Sequence, residues 1–431
     1  YNLPTKKEIK TKYEEIGQSI KDDIVSEMNL LEQLKQNLTE FEKSLIEKDS
    51  LDWRDRKKLE EILNKHTSLE KKINELKNKA ANNFEQMNSA SKASEEVLKK
   101  QKELQNLFEE IMSDELKELY KELYELRDKL DKNELQKKLQ ELQLSNEDIE
   151  KELDRNLEIL KQVEFEQQLD DLISEIKNLA KEQSKLSVTD KSVENKIKDQ
   201  ADQMEKFEAI KENIKSLQDL NSKLENKKNI DNTKNKESEI SRELTQGKDH
   251  LEKRNKKKAA KAQKKSSEAL ENLANIFENM KQKNDIEQNY EDMDALRQIL
   301  ENLVYFSIQE ENIFLTFEQL DKNDPKYIEL MHNQQNLREA ASIIEDSLFA
   351  LSKRVPQISS KVNREINVID KKTASAIDYL RERETLKAVQ NQQFVMTSAN
   401  NLAVLLANIL EQMQEEMASD LPSTQQCEKP G

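Results

Sequence analysis

Apolar positions recur three and four residues apart along nearly the whole chain. Ile9, Tyr13, Ile16, Ile20, Ile24, Leu31, Leu34, Leu38, Phe41 and Leu45 mark one face of a single long helix, with Pro4-Thr5-Lys6-Lys7-Glu8 as its start. Lys48-Asp49-Ser50-Leu51-Asp52-Trp53 supplies cap-type residues, and the pattern restarts at Leu59, Ile62, Leu63, Leu69, Ile73 and Leu76, so the first two helices are expected to fold back as an antiparallel hairpin. Large apolar residues thin out from Asn82 to Ser94 and resume at Val97, Leu98, Leu104 and Leu107. Leu116, Leu119, Leu123, Leu126 and Leu130 form the clearest coiled-coil seam; it slips at Asp131-Lys132-Asn133 and resumes at Leu135, Leu139 and Leu142.

Ser145-Asn146-Glu147-Asp148 reads as an N-cap followed by an acid three residues on, opening a further helix through Ile149, Leu153, Leu157, Leu160, Leu169, Leu172, Ile176 and Leu179. Ser187-Val188-Thr189-Asp190 reads as a junction before Ile197, Met204, Phe207, Ile214, Leu217, Leu220 and Leu224. The stretch from Glu225 to Lys236 offers almost nothing to bury and is expected to be a mobile loop.

From about Ile286 the apolar residues become denser: Leu296, Ile299, Leu300, Leu303, Val304, Phe306, Ile308, Ile313, Phe314, Leu315 and Phe317 are too broad a face for a two-stranded seam. Asp324-Pro325 is a helix start, and Pro356 should end or kink the helix that follows. Two more helical stretches run from about Gln357 to Glu384 and from Thr385 to Ala418. The expected fold is all-α, with antiparallel coiled-coil hairpins over 1–285, a compact helical bundle over 286–418 and a flexible tail over 419–431.

Composition explains how such a chain can fold while being so polar. Of 431 residues, 37% are charged and 35% hydrophobic, with three glycines and five prolines. That balance would suggest disorder if the apolar residues were scattered, but helical spacing lets each helix bury one stripe and leave the rest wet. The formal charge of −16 argues weakly against a general nucleic-acid binder. Cys427 is the single cysteine, so neither an internal disulfide nor a cysteine metal site can form. The apolar stretch Phe394 to Leu410 is interrupted by Thr397, Ser398, Asn400, Asn401 and Asn408 and reads as a buried helix face rather than a bilayer span. The chain opens at Tyr1 with no methionine or signal-type stretch, which reads as a fragment or a processed product.

Candidate chemistry is sparse. Gly17, Gly247 and Gly431 are isolated, so no phosphate-cradling glycine loop exists. His66, His250 and His332 lie far apart among charged and amide residues and are expected on solvated helix surfaces. Acidic pairs such as Glu109-Glu110, Asp170-Asp171 and Glu415-Glu416 alternate with lysines and read as solvated faces rather than acid/base pairs. The sequence thus points to no enzyme, metal, cofactor or small-molecule substrate.

Two surfaces remain. Lys253, Arg254, Lys256, Lys257, Lys258, Lys261, Lys264 and Lys265 form the one local excess of positive charge. The first reading is a solvated helix, the second a contact with an acidic or polyanionic partner, the third nucleic acid, for which no stacking aromatics interleave. Phe394, Val395, Met396, Leu402, Leu405 and Leu406 are read first as core and second as a helix-partner interface or a site of self-association.

Several segments look like those of a known group of sequences: Leu51-Asp52-Trp53 followed by Lys57-Lys58-Leu59-Glu60; Leu144 to Arg155 with Glu164-Phe165-Glu166-Gln167; Leu351-Ser352-Lys353-Arg354-Val355-Pro356; and Phe394 to Ala403. On these the chain resembles a family of large, uncharacterised cell-envelope proteins of Bacteroidota. The resemblance implies a helical region belonging to a longer, membrane-anchored protein, lying on the periplasmic face of the inner membrane, with membrane contact only through segments missing from this chain. It transfers no site residues. The anchor is missing, and Lys253 to Lys265 is more basic than the resemblance would imply. The functional expectation is a structural scaffold or tether with protein partners of the envelope. A chromosome-associated or other nucleic-acid-binding coiled coil, placed in the cytoplasm, is the alternative.

Overall fold

A computed structural model describes residues 6–48, 52–90, 93–112, 114–129, 132–321, 323–358 and 360–420. The expected starts at Pro4 and Ser50, the seam residue Leu130 and the tail with Cys427 lie outside the described residues. Among them the chain is all-α: α1 (Lys6–Ile46), α2 (Trp53–Ala90), α3 (Glu95–Glu110), α4 (Asp114–Lys129), α5 (Lys132–Val188), α6 (Val193–Lys223), α7 (Lys234–Glu252), α8 (Lys256–Gln319), α9 (Lys326–Ser352), α10 (Ser360–Arg381) and α11 (Thr385–Asp420). Two units divide it, Tyr1–Ile286 and Glu287–Gly431. The division falls where the apolar pattern of the sequence thickens.

In the first unit, ion pairs fix the helix directions. Lys79 reaches Asp23 at 2.6 Å and Lys72 reaches Glu27 at 2.7 Å, so residue numbers rise on α2 as they fall on α1. The same reversal relates α1 to α5, through Lys10 with Glu175 at 3.4 Å, Lys21 with Glu164, and Lys35 with Glu150 at 2.7 Å. Helix α4 faces α2 through Tyr124 and Asn64 at 3.2 Å, and α5 through Glu122 and Lys138 at 2.7 Å. The leucine seam of α4 therefore does not close on one partner. Leu116, Leu119 and Leu123 join one core with Leu34 and Leu38 of α1, Leu63 and Ile73 of α2, and Leu139 and Leu153 of α5. Burial of one stripe on each of several long helices suffices to hold a chain only about one-third apolar.

A second core of this unit forms where the later half of α5 meets α6, α7 and the first half of α8, around Leu172, Ile176, Phe207, Ile214, Leu270 and Phe277. Lys281 on Asp170 and Lys177 on Glu278, each at 2.5 Å, set α8 antiparallel to α5.

Local cap chemistry explains several of the breaks. Asp52 Oδ1 accepts from Arg54 N at 2.7 Å and Asp55 N at 3.0 Å, while Asp55 Oδ2 accepts from Asp52 N at 2.9 Å, a reciprocal cap at the head of α2. These backbone donors also hold the Asp52 carboxyl below its usual range. Ser192 caps α6. At α9, Asp324 Oδ1 accepts from Lys326 N at 2.8 Å, with Pro325 at the cap position itself.

Two expectations are corrected. Ser145-Asn146-Glu147-Asp148 opens no helix: α5 runs unbroken through it, Ser145 Oγ donates back to Glu141 O at 3.0 Å, and Asn146 is fully buried. Nor is the stretch from Glu225 to Lys236 a free loop. Asn221 donates to Lys228 O and accepts from Lys228 N, both at 2.8 Å; Asn284 does the same for Asn229 at 2.9 and 3.1 Å; and Glu158 Oε1 accepts from Glu225 N at 2.9 Å. Side-chain amides stand in for backbone partners here, so a segment poor in apolar residues is still pinned to the helices beneath it. Its remaining part, from Lys234, is already the first turn of α7.

The second unit packs the later half of α8 with α9, α10 and α11 around Leu296, Leu303, Phe306, Ile344, Ile369 and Leu402. Pro356 lies in the α9–α10 connection, four residues beyond the end of α9.

Candidate interaction surfaces

All eight cations between Lys253 and Lys265 are exposed. They gather where α7 ends and α8 begins. Arg254 takes a left-handed φ of 54°, and Asn255 N returns to His250 O at 2.8 Å, closing α7 with a turn that glycine usually serves. Asn255 then caps α8, its Oδ1 accepting from Lys258 N at 3.2 Å. Lys264 approaches Glu268 at 3.9 Å, and the other seven side chains make no hydrogen bond or ion pair among the described residues. Elsewhere in the unit, lysines such as Lys35, Lys72 and Lys79 are spent on ion pairs between helices.

The stretch singled out on α11 divides by face. Val395, Leu402 and Leu406 are wholly buried in the core of the second unit, which agrees with the first reading of this stretch and takes these three out of the alternative, a partner interface. Met396 and Leu405 are half-buried, and Phe394 is 56% exposed beneath the Lys372 ammonium at 5.0 Å. A groove of about 570 Å³ lies between α8 and α11, walled by Val304, Ile308, Met396 and Ala403, with Ser307 Oγ donating to Asn400 Oδ1 at 3.3 Å. Val304 and Ile308 were visible in the sequence as apolar residues, but only the packing shows them turned outward, 46% and 50% exposed. Val404, at 61%, extends the same face. Helix Thr385–Ala418 is also long and apolar enough to cross a membrane, with only 28% of its most apolar window buried.

The histidines part company. His332 is exposed and His250 half-buried, but His66 is wholly buried, which overturns its expected place on a solvated surface. Its Nδ1 lies 3.3 Å from the Tyr120 hydroxyl, and burial pushes the imidazole down to about 4. It braces α2 against α4. A cavity of about 40 Å³ beside Gly17, Tyr13 and Asn83, where the Tyr13 hydroxyl donates to Asp171 at 3.2 Å, has room for water and little more. In the second unit Glu310, Gln334 and Gln392 form a buried chain: Gln392 donates to Gln334 at 2.6 Å and Gln334 to Glu310 at 2.7 Å. Among the described residues no group of three or more histidines, cysteines or carboxylates is arranged to hold a metal ion. Compared with known proteins, the chain matches no family model, no curated protein and no solved structure.

Proposed function

We propose that the chain is a non-enzymatic scaffold or tether of the bacterial cell envelope whose second unit docks a helix of a protein partner. The observation that carries this reading is the groove between α8 and α11. Its walls mix Ser307, Glu311, Gln393, Thr397 and Asn400 with Leu303, Val304, Ile308, Met396 and Ala403; no described residue of the second unit covers Val304 and Ile308, and large apolar side chains left exposed side by side on a folded protein mark association. Its lining repeats at helical spacing, and the small Ser307, Ala399 and Ala403 let another helix approach closely. Helix α11 carries no charge from Ala388 to Leu410, so the matching partner face is apolar and amide-rich. The resemblance to Bacteroidota envelope proteins supports a place on the periplasmic side of the inner membrane, and the apolar length of α11 is consistent with work at a membrane.

The test is site-specific photo-crosslinking in cells, with the reactive group at Ile308 or Val404 and a control at exposed Lys361. Discrete adducts in the envelope fraction from Ile308 and Val404, and none from Lys361, are expected. An adduct of twice the chain mass would make the partner a second copy. Equal labelling at all three positions, or adducts confined to ribosomal and nucleoid proteins, would overturn the reading.

A further inference from the structure

We propose that the α7–α8 turn is an electrostatic docking site for an anionic lipid surface. The inference stands apart from the groove of the second unit. Three features that each cost stability coincide here. Lys256, Lys257 and Lys258 occupy the first turn of α8, where the helix dipole repels cations and no acidic residue offsets them. Arg254 sits in the left-handed backbone region that disfavours a side chain. Seven like charges crowd one turn and the helix it starts, and none of the seven makes a hydrogen bond or ion pair among the described residues that would offset their mutual repulsion. Sequences retain such local conflicts where a binding partner relieves them.

The arrangement indicates what kind of anion is met. At about 100° per residue, Lys257, Lys261 and Lys264 fall on one side of α8, with Lys258 and Lys265 flanking them, inside roughly 12 Å of helix length. Glu268 and Glu271 follow on that side, so the positive face is short and ends abruptly. Such a patch fits a plane touched locally, with the acidic remainder of the chain held away from it. Seven of the eight cations are lysines, which act as mobile point charges, whereas stereospecific phosphate recognition favours the arginine fork. No exposed aromatic accompanies them to stack on a base. A fluid surface of anionic headgroups, attracting each nearby lysine through its surface potential, matches this chemistry best.

The experiment is co-sedimentation of the full chain with vesicles of phosphatidylglycerol and phosphatidylcholine, against phosphatidylcholine alone, at about 50 and 150 mM salt. Binding to the anionic vesicles that weakens at the higher salt, and none to the neutral ones, is expected. The triple variant Lys257→Gln, Lys261→Gln, Lys264→Gln should bind the anionic vesicles on the order of 100-fold more weakly, with the same circular dichroism and thermal midpoint. Equal binding of variant and parent, equal binding to neutral vesicles, or loss of fold in the variant would each overturn the proposal. So would tight, lysine-dependent binding of duplex DNA by a chain that ignores anionic vesicles.

Discussion

Glu310 offers the sharpest test of how the second unit is held together. Its side chain is completely buried, one carboxyl oxygen accepts from Gln334 Nε2 at 2.7 Å, and the other has no partner among the described residues. Burial pushes the carboxyl up to about 7 from its ordinary 4.5, although the Gln334 hydrogen bond pulls the other way. A folded-state value above the unfolded one means that the native state holds the proton more tightly. The resulting stabilisation is complete below pH 4.5, falls as pH rises between 4.5 and 7, and is gone above that. At roughly 1.4 kcal/mol per pH unit, the loss is about 3 kcal/mol. Glu310→Gln keeps the volume and the acceptor for Gln334 while removing the ionisation. The variant should match the parent near pH 5 and be more stable by about 2–3 kcal/mol at pH 8, from the same linkage. Hydrogen exchange in peptides spanning Leu303 to Phe317, comparing variant with parent at each pH, reads this as slowing by roughly 100-fold at pH 8 and little change at pH 5. A variant destabilised equally at both pH values would show that the carboxylate is tolerated as a charge, and the burial argument would fail.

Three further outcomes follow from the same reasoning. In the first unit the sign reverses: His66 is depressed to about 4 from 6.5, so its contribution is present above pH 6.5 and lost as pH falls through 4. His66→Phe should remove that acid sensitivity, about 3 kcal/mol at most, as followed by urea unfolding with the fluorescence of Trp53, the single tryptophan. Asn146 is buried with neither amide atom partnered among the described residues, so Asn146→Leu should raise unfolding stability by about 1–3 kcal/mol; a lower urea midpoint would mean the amide is satisfied. Lys256→Glu and Lys257→Glu place acids in the first turn of α8 and should each stabilise the fold by about 0.3–1 kcal/mol, read as a slightly higher thermal midpoint. A cooperative loss of helicity instead would assign those lysines a structural role.

Whatever in this fold depends on near neighbours was legible in the sequence. The junction at Ser187 to Asp190 and the start at Asp324-Pro325 rest on capping groups within a few residues, and α5 ends at Val188 and α9 begins at Lys326. What misled was a local signal overruled at a distance. Ser145-Asn146-Glu147-Asp148 has good cap chemistry, but Leu142 and Ile149 on either side belong to one core, and burying both keeps the helix going. His66 meets Tyr120, 54 residues away, and the Asn229 segment meets Asn284, 55 residues away. Neither partner is visible from spacing. The docking surfaces divide the same way: exposure of the lysine run follows from charge alone, whereas the outward turn of Val304 and Ile308 depends on which other residues of α8 the core takes.

The buried polar groups answer a question the leucine pattern leaves open. Helices with apolar residues at repeating spacings can slide by one repeat and still bury a similar stripe, so such seams specify contact without specifying register. Each core described here carries a polar contact that breaks this degeneracy: His66 with Tyr120 in the first, Gln263 with Gln200 at 3.0 Å in the second, and Gln392, Gln334 and Glu310 in the third. A slip by one repeat would bury these groups against carbon, at about 1–3 kcal/mol for each lost partner. Replacing Glu310 should therefore stabilise the native pairing above neutral pH and lower the penalty on its shifted alternatives, because the carboxylate that weakens the fold at that pH also marks its register.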